Sequence, residues 1–342
     1  MSTRKLVTVR AVDAIEEIAG ADAIEVAVFG GWRSVVRKGQ YRPGDRAVYV
    51  EVDAALPLDD ARFGFLEPRG SRTIGGARFH VLRTMKLRGV ISQGLVLPLA
   101  EFPEADGAAD LAATLGVVKY EAPLPAELSG TAVGPYPSVL ARKTDAERVQ
   151  NLAAVYPALD PDDWYATEKV DGTSTTFITT PSGLRVCGRN YEWVPSPELV
   201  SMRYAAAQGL TEAVPPGLVV QGELYGPAIQ ANPLDLDAVG FVAFAVWREG
   251  AQLPRSEWPR WAIDRAAPVY EGLCLPDSVN EAIAQADEVE SLVAPGRRAE
   301  GIVWHRTDAR PMPELDGRPC FKVISNRWLL RQASGRRRRP RR

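Results

Sequence analysis

Histidine and cysteine are nearly missing from this chain of 342 residues, which holds two of the first and three of the second. Cys187, Cys274 and Cys320 are odd in number and widely spaced, so neither a disulfide framework nor a thiolate zinc site is supported. His80 and His305 alone leave a histidine-rich metal site or a Ser/His/Asp triad poorly supplied. No run of eighteen or more apolar residues occurs, and the opening MSTRKLVTVRAVDAIEEIAG has no apolar stretch or small-residue cleavage site, so a cytoplasmic protein with no membrane partner is expected. Lysine is scarce too, with 7 against 34 arginines. Arginine serves wherever positive charge suffices, and the few lysines merit inspection because an amine can be shifted far enough to act as a nucleophile near neutral pH.

What is present is the composition of an ordinary folded protein, 46% hydrophobic and 25% charged, with a length that suits two domains. The net charge of −2 conceals six arginines within residues 336–342. That basic tail is expected to be disordered, and serves either to hold a polyanion or simply to aid solubility.

From Val7 to about Pro98, short apolar runs are broken by Gly and Pro: IEVAVFGGW, SVVRKGQYRPGDRAVYVEV, ARFHVLRTMKLRG and VISQGLVLPL. Strand-length runs with turn signals between them read as a small β-barrel, with a clear turn at Tyr41–Asp45. Arg83–Gly89 adds three basic residues, at the lip of an OB-like platform or in an ordinary solvated loop. A polar, Pro-rich passage from roughly Glu101 to Pro137 reads as a linker. Beyond it, β-runs mix with amphipathic segments such as EAIAQADEVESLVA, residues 281–294, at helical spacing. The expected fold class is α+β: an OB-like β-barrel over 1–125, an α+β domain over 126–335 and a basic tail over 336–342.

Chemistry concentrates in the second half. Thr167-Glu168-Lys169-Val170-Asp171-Gly172 places a lysine at the end of a strand, before an Asp-Gly turn that presents its amine to a ligand. Downstream stand Cys187-Gly188-Arg189-Asn190, then VQGELYG at 220–226, FVAFAVW at 241–247, AEGIV at 299–303 and FKVI at 321–324. In that order these segments resemble motifs I, Ia, III, IIIa, IV and V of the covalent nucleotidyltransferases, the superfamily of ligases and capping enzymes. The resemblance implies a nucleotidyltransferase domain in which Lys169 attacks the α-phosphate of ATP and carries AMP. Arg189, Lys322 and a divalent cation are expected to lower the pKa of its amine.

By the same resemblance Asp171, Glu223 and Glu300 converge on Mg²⁺ or Mn²⁺, since carboxylates beside a polyphosphate need a hard cation between them. Lys322 and Arg189 contact phosphate, Phe244 stacks on adenine, and Glu168 and Val170 flank the nucleotide, Glu168 accepting from the adenine amino group. Ile324 stands where family members often carry a second lysine. Arg142–Leu152, read alone, is a short amphipathic helix capped by Thr144; by resemblance, Arg148 in it faces nucleotide or phosphate.

DNA ligases and capping enzymes place an OB domain after the last motif, whereas only about twenty residues follow Lys322 here and the β-rich part lies in front. ELYGPAIQ resembles the ELxGPGxQ of nick-sealing RNA ligases, with Ala228 in place of the usual glycine. The chain is therefore similar to ATP-dependent RNA ligases of the Deinococcus type. That implies a monomer joining 3′-OH and 5′-phosphate ends in an RNA or RNA/DNA duplex with nicks, with RNA on the 3′-OH strand. A GTP-dependent capping guanylyltransferase and a non-catalytic RNA-binding module are the alternatives.

Overall fold

The computed structural model describes residues 5–121 and 130–337. Two compact units emerge, Met1–Pro123 together with Leu329–Arg342, and Leu124–Trp328.

The first unit is built of short strands, as the turn spacing implied. The Arg46–Val50 strand pairs antiparallel with Val7–Ala11 on one side and Leu95–Pro98 on the other. Alternation along it serves two cores at once: Val48 and Val50 join Leu56, Phe63 and Leu97, whereas Ala47 and Tyr49 join Phe29, Trp32 and Val96. The Tyr41–Asp45 turn forms as expected, closed by the Asp45 amide donating to the Arg42 carbonyl at 3.0 Å, with Gly44 at φ +92°. Within the basic stretch, Met85–Leu87 pairs with Val90–Ser92 across a two-residue turn in which Arg88 and Gly89 both take positive φ.

The expected linker is largely folded. Leu111 and Leu115 pack into the first unit's core, Val118–Lys119 pairs with Ala54–Ala55, and Ala132–Pro135 joins a sheet of the second unit. Pro-rich composition concealed apolar residues that had a core to enter. Residues 122–129 lie outside the described part of this passage.

The second unit holds a seven-stranded and a four-stranded sheet. In the four-stranded sheet Trp164–Lys169, Gly301–Arg306 and Cys320–Ile324 run as antiparallel neighbours, and Glu147–Arg148 adds a parallel edge beside Phe321–Lys322. Its two faces differ as strand alternation requires. Trp164, Ala166, Ile302, Trp304, Phe321 and Val323 pack with Ile283 and Ala286 of a helix, leaving Thr167, Lys169, Val303, His305 and Lys322 on the opposite face.

Three local readings change. Arg142–Leu152 is not a helix: Glu147–Arg148 is drawn into the sheet, Val149–Leu152 forms a 3-10 turn, and the Thr144 hydroxyl bonds Ser174 at 2.6 Å rather than capping anything. The segment at 281–294 is helical only over Val279–Glu288, capped by Ser278, after which Glu290 bridges to Arg298. The C-terminal helix runs through Asn326–Arg337, so Arg336 and Arg337 of the basic tail are helical in backbone, and residues 338–342 lie outside the described ones. No described helix is long and apolar enough to cross a membrane.

Candidate active site

A cavity of about 290 Å³ opens in the second unit, and Lys169 lies in its wall. The lysine ends its strand, as the sequence suggested, and Val170 beside it is buried. The turn that follows needs its glycine, since a Cβ at Gly172 would stand 2.2 Å from the Leu224 carbonyl oxygen. Gln230 holds that turn by donating to the Gly172 carbonyl at 3.0 Å. Ala228, just before it, sits at φ +64°, which explains why a glycine suits this place in the motif.

The other wall comes from the seven-stranded sheet. Ser174, Gln221 and Glu223 share one face of Thr173–Thr180 and Leu218–Tyr225. In the next strand, Gly240–Arg248, the register slips, with Gln221 opposite Ala245 and Gly222 opposite Ala243. Phe244 is the extra residue of this bulge, so Val242, Phe244, Ala245 and Trp247 all line the cavity although strict alternation would have turned some of them away. Gly222 lies beneath it with no room for a side chain, because a Cβ would stand 2.2 Å from the Phe241 ring. Gln221 is fully engaged: it donates to Tyr136 at 2.7 Å and to the Arg142 carbonyl at 2.6 Å, and accepts from Trp247 at 2.6 Å.

Charge is divided sharply across this cavity. The Lys169 ammonium pairs with Glu300 at 2.7 Å. Burial works to lower its pKa, but Glu300, Glu223 and Asp171 outweigh burial and hold the amine above the ordinary lysine value. The expected lowering of Lys169 is thus reversed in the free protein: its nearest charged neighbours are carboxylates, and Arg189 is ion-paired with Asp145. Lys322 fares oppositely. Burial, then Arg148, Lys169 and Arg189, push its amine down to about 7 against the pull of Asp145.

Glu168, expected at adenine, is among the residues that line the cavity, and its carboxylate is already engaged. Its carboxylate accepts from the Ser291 hydroxyl at 2.6 Å and from the amides of Leu292 and Val293 at 2.7 and 3.0 Å, so it anchors that loop. Among the described residues no group of three or more His, Cys, Asp or Glu side chains stands at metal-holding spacing, so Asp171, Glu223 and Glu300 form no ready-made cage. They nevertheless fit a hard cation. Oε2 of Glu300 is buried without a hydrogen-bond partner, and burial pushes the Glu223 carboxyl up to about 8, with Glu300 and Asp171 adding to the shift. A divalent ion that keeps several waters would satisfy both groups.

Residues 162–324 match the family model described as RNA ligase, and residues 6–99 match an OB-fold domain. Among solved structures, an apo mutant of Naegleria gruberi RNA ligase is 33% identical, covering 96% of this chain and 98% of that one at a TM-score of 0.80. The chain belongs to the RNA ligase family. A mutant of the Naegleria enzyme with ATP and Mn is 32% identical over 95% of this chain and 98% of that one, at TM-score 0.80. The form with PPi is 32% identical over 96% and 98%, at 0.79. No curated protein matches. This ligase therefore has an OB-fold domain in front of an α+β ligase domain.

Of the residues that line the site of this ligase, Thr167, Gln221 and Trp247 stand inside the quoted motif segments without an assigned role, and His305 and Arg318 lie outside them. Thr167 lies two residues before Lys169 and His305 two after Val303, so strand periodicity was the signal that could have found them.

Proposed function

We propose that this ligase uses ATP and a divalent metal, Mg²⁺ or Mn²⁺, to form lysyl-AMP on Lys169. The observation that carries this reading is that the Lys169–Glu300 pair and Lys322 belong to one face of one sheet, with both lysines in the wall of the same cavity. Solved structures of the Naegleria ligase with ATP and Mn support it.

In the free protein the carboxylates keep Lys169 protonated and therefore unreactive. A divalent cation, held by Glu223, Glu300 and Asp171, would supply charge neutralisation of the phosphates and of those carboxylates. With those carboxylates neutralised, burial of the amine would lower its pKa, and its proton would pass to solvent. The Lys169 nitrogen then bonds to the α-phosphorus of ATP, the bond to the β-phosphate oxygen breaks, and pyrophosphate leaves. Lys322, protonated again once an anion sits beside it, stabilises charge on the α-phosphate, and Arg189 offers a planar fork to a phosphate. Phe244 gives the base an aromatic face.

AMP then passes to a 5′-phosphate, and attack by a 3′-OH releases AMP and joins the ends. The substrate we favour is a nick in an RNA or RNA/DNA duplex with RNA on the 3′-OH strand, which suits RNA repair by a monomer in the cytoplasm. Incubation with α-labelled ATP and a divalent metal should label the protein, and Lys169→Ala should abolish the label. A wild-type protein that stays unlabelled would falsify the proposal; stronger label from GTP would turn it to capping chemistry.

A further inference from the structure

Between the strands Leu218–Tyr225 and Gly240–Arg248 the chain makes a loop whose backbone is unfavourable. Ala228, Gln230, Asn232 and Asp235 all take left-handed φ, at +64°, +52°, +45° and +52°. A residue with a Cβ resists that region, so a run of them persists only where the surrounding structure imposes it, as it often does beside a functional site. The imposing contacts are present. Ile229 and Leu234 are buried in separate cores, and the Asn232 side chain donates to the Leu236 carbonyl at 2.9 Å while accepting from the Leu236 N–H at 3.1 Å. At the neck, Gly226 lies so close to Ala238 that a Cβ would stand 2.4 Å from its carbonyl oxygen.

What the loop delivers to the Lys169 cavity is the Gln230 side chain, which lines it and donates to the Gly172 carbonyl at 3.0 Å. Glu223 reaches the same glycine. Its Cγ would stand 3.1 Å from a Cβ there, and the Gly172 amide works to lower the pKa of its carboxyl. Gly172 follows Asp171 directly, so the peptide that Gln230 grips helps to set where Asp171 and Glu223 stand, two of the carboxylates that act on Lys169.

We infer that Gln230 is a positioning residue: by holding the Gly172 carbonyl it keeps Asp171 and Glu223 at the spacing that takes a hydrated divalent cation, already in the free protein. Groups that orient a metal's ligands change its affinity by about 10–100-fold. The left-handed backbone of the loop is then what it takes to place that one amide. The inference rests on the proposed role of the cation.

The test titrates lysine adenylylation with Mn²⁺ at saturating ATP, and counts free Mn²⁺ by EPR in the same proteins without nucleotide. Gln230→Met keeps the length and loses the donor. Gln230→Asn keeps an amide but falls one methylene short, and asparagine suits left-handed backbone better than glutamine does. Both variants should need about tenfold more Mn²⁺ for half-maximal labelling and bind Mn²⁺ about tenfold more weakly without nucleotide. Excess metal should restore the rate, with KM for ATP then within about twofold of wild type. A merely structural role predicts another pattern: Gln230→Asn would melt as high as wild type or higher and respond to Mn²⁺ as wild type does, and Gln230→Met would lose active protein at every Mn²⁺ concentration with its midpoint unmoved. Unmoved midpoints in the two variants, or a wild type that binds no Mn²⁺ without nucleotide, overturn the inference. If wild type takes no label from ATP at any Mn²⁺ concentration, the reading of the site fails and this one with it; labelling with unmoved midpoints sinks this one alone.

Discussion

Lys169 and Lys322 occupy the same face of one four-stranded sheet, separated by a single strand, yet they sit in opposite fields. Lys169 pairs across from Gly301 and meets Glu300, Glu223 and Asp171; Lys322 pairs across from Val303 and meets Arg148 and Arg189. Burial pulls both amines down, and only around Lys169 do carboxylates reverse the result. The lesson is that burial alone does not make a lysine nucleophilic; the sign of the neighbouring charge decides. On the proposed mechanism Lys169 is held inactive until a cation takes its carboxylates, and Lys322 is held short of charge until an anion arrives.

The largest way to break this contrast is to remove one member of each side. Glu300→Ala and Lys322→Ala should each slow lysine adenylylation by roughly a hundredfold or more, since both remove charge stabilisation of phosphoryl transfer. Rapid labelling of either variant with α-labelled ATP would show that Glu300 and Lys322 do not act on the same phosphates. Phe244→Ala should cost less, raising KM for ATP by about tenfold through loss of an aromatic face, with kcat changed less.

Stability should separate the lysines in the other direction. Lys322 has a folded pKa of about 7 against an ordinary unfolded one, so between those values the unfolded chain binds the extra proton. Its charge therefore penalises the fold fully below about pH 7, and the penalty fades as pH rises toward the ordinary lysine value. Lys322→Met should remove that slope and raise the melting temperature at pH 7 by about 2–4 °C, whereas Glu300→Ala, which strips Lys169 of its partner, should lower it. Melting curves between pH 6 and 10 would show both, and a Lys322→Met protein less stable than wild type at pH 7 would contradict the assignment. Smallest is Ala228→Gly, which relieves a left-handed alanine beside the turn that positions Lys169 and should stabilise by about 1 kcal/mol, read by denaturant unfolding.

Much of this was legible in the chain. The β-rich first unit followed from turn spacing, and the ordered motifs marked the strands that bring Lys169, Glu223, Phe244 and Lys322 to one cavity. What stayed hidden depends on partners distant in sequence. The 142–152 segment carries helical spacing, yet Phe321 and Lys322 take Glu147 and Arg148 into a sheet. Phe244 faces the cavity because of a bulge that no local pattern announces. The Glu168 carboxylate is held by the Ser291 hydroxyl and the Leu292 and Val293 amides, partners far along the chain that no local pattern announces. The raised pKa of Lys169 depends on carboxylates 54 and 131 residues further along the chain, at Glu223 and Glu300.

The most direct measurement is competitive acetylation of the free protein with trace acetic anhydride across pH 5 to 11, reading the rates at individual lysines by mass spectrometry. Lys322 should titrate near pH 7 and Lys169 above the ordinary lysine value, with added ATP analogue and metal moving the two toward each other. A Lys169 that titrates below Lys322 in the free protein would contradict the division of charge across the cavity.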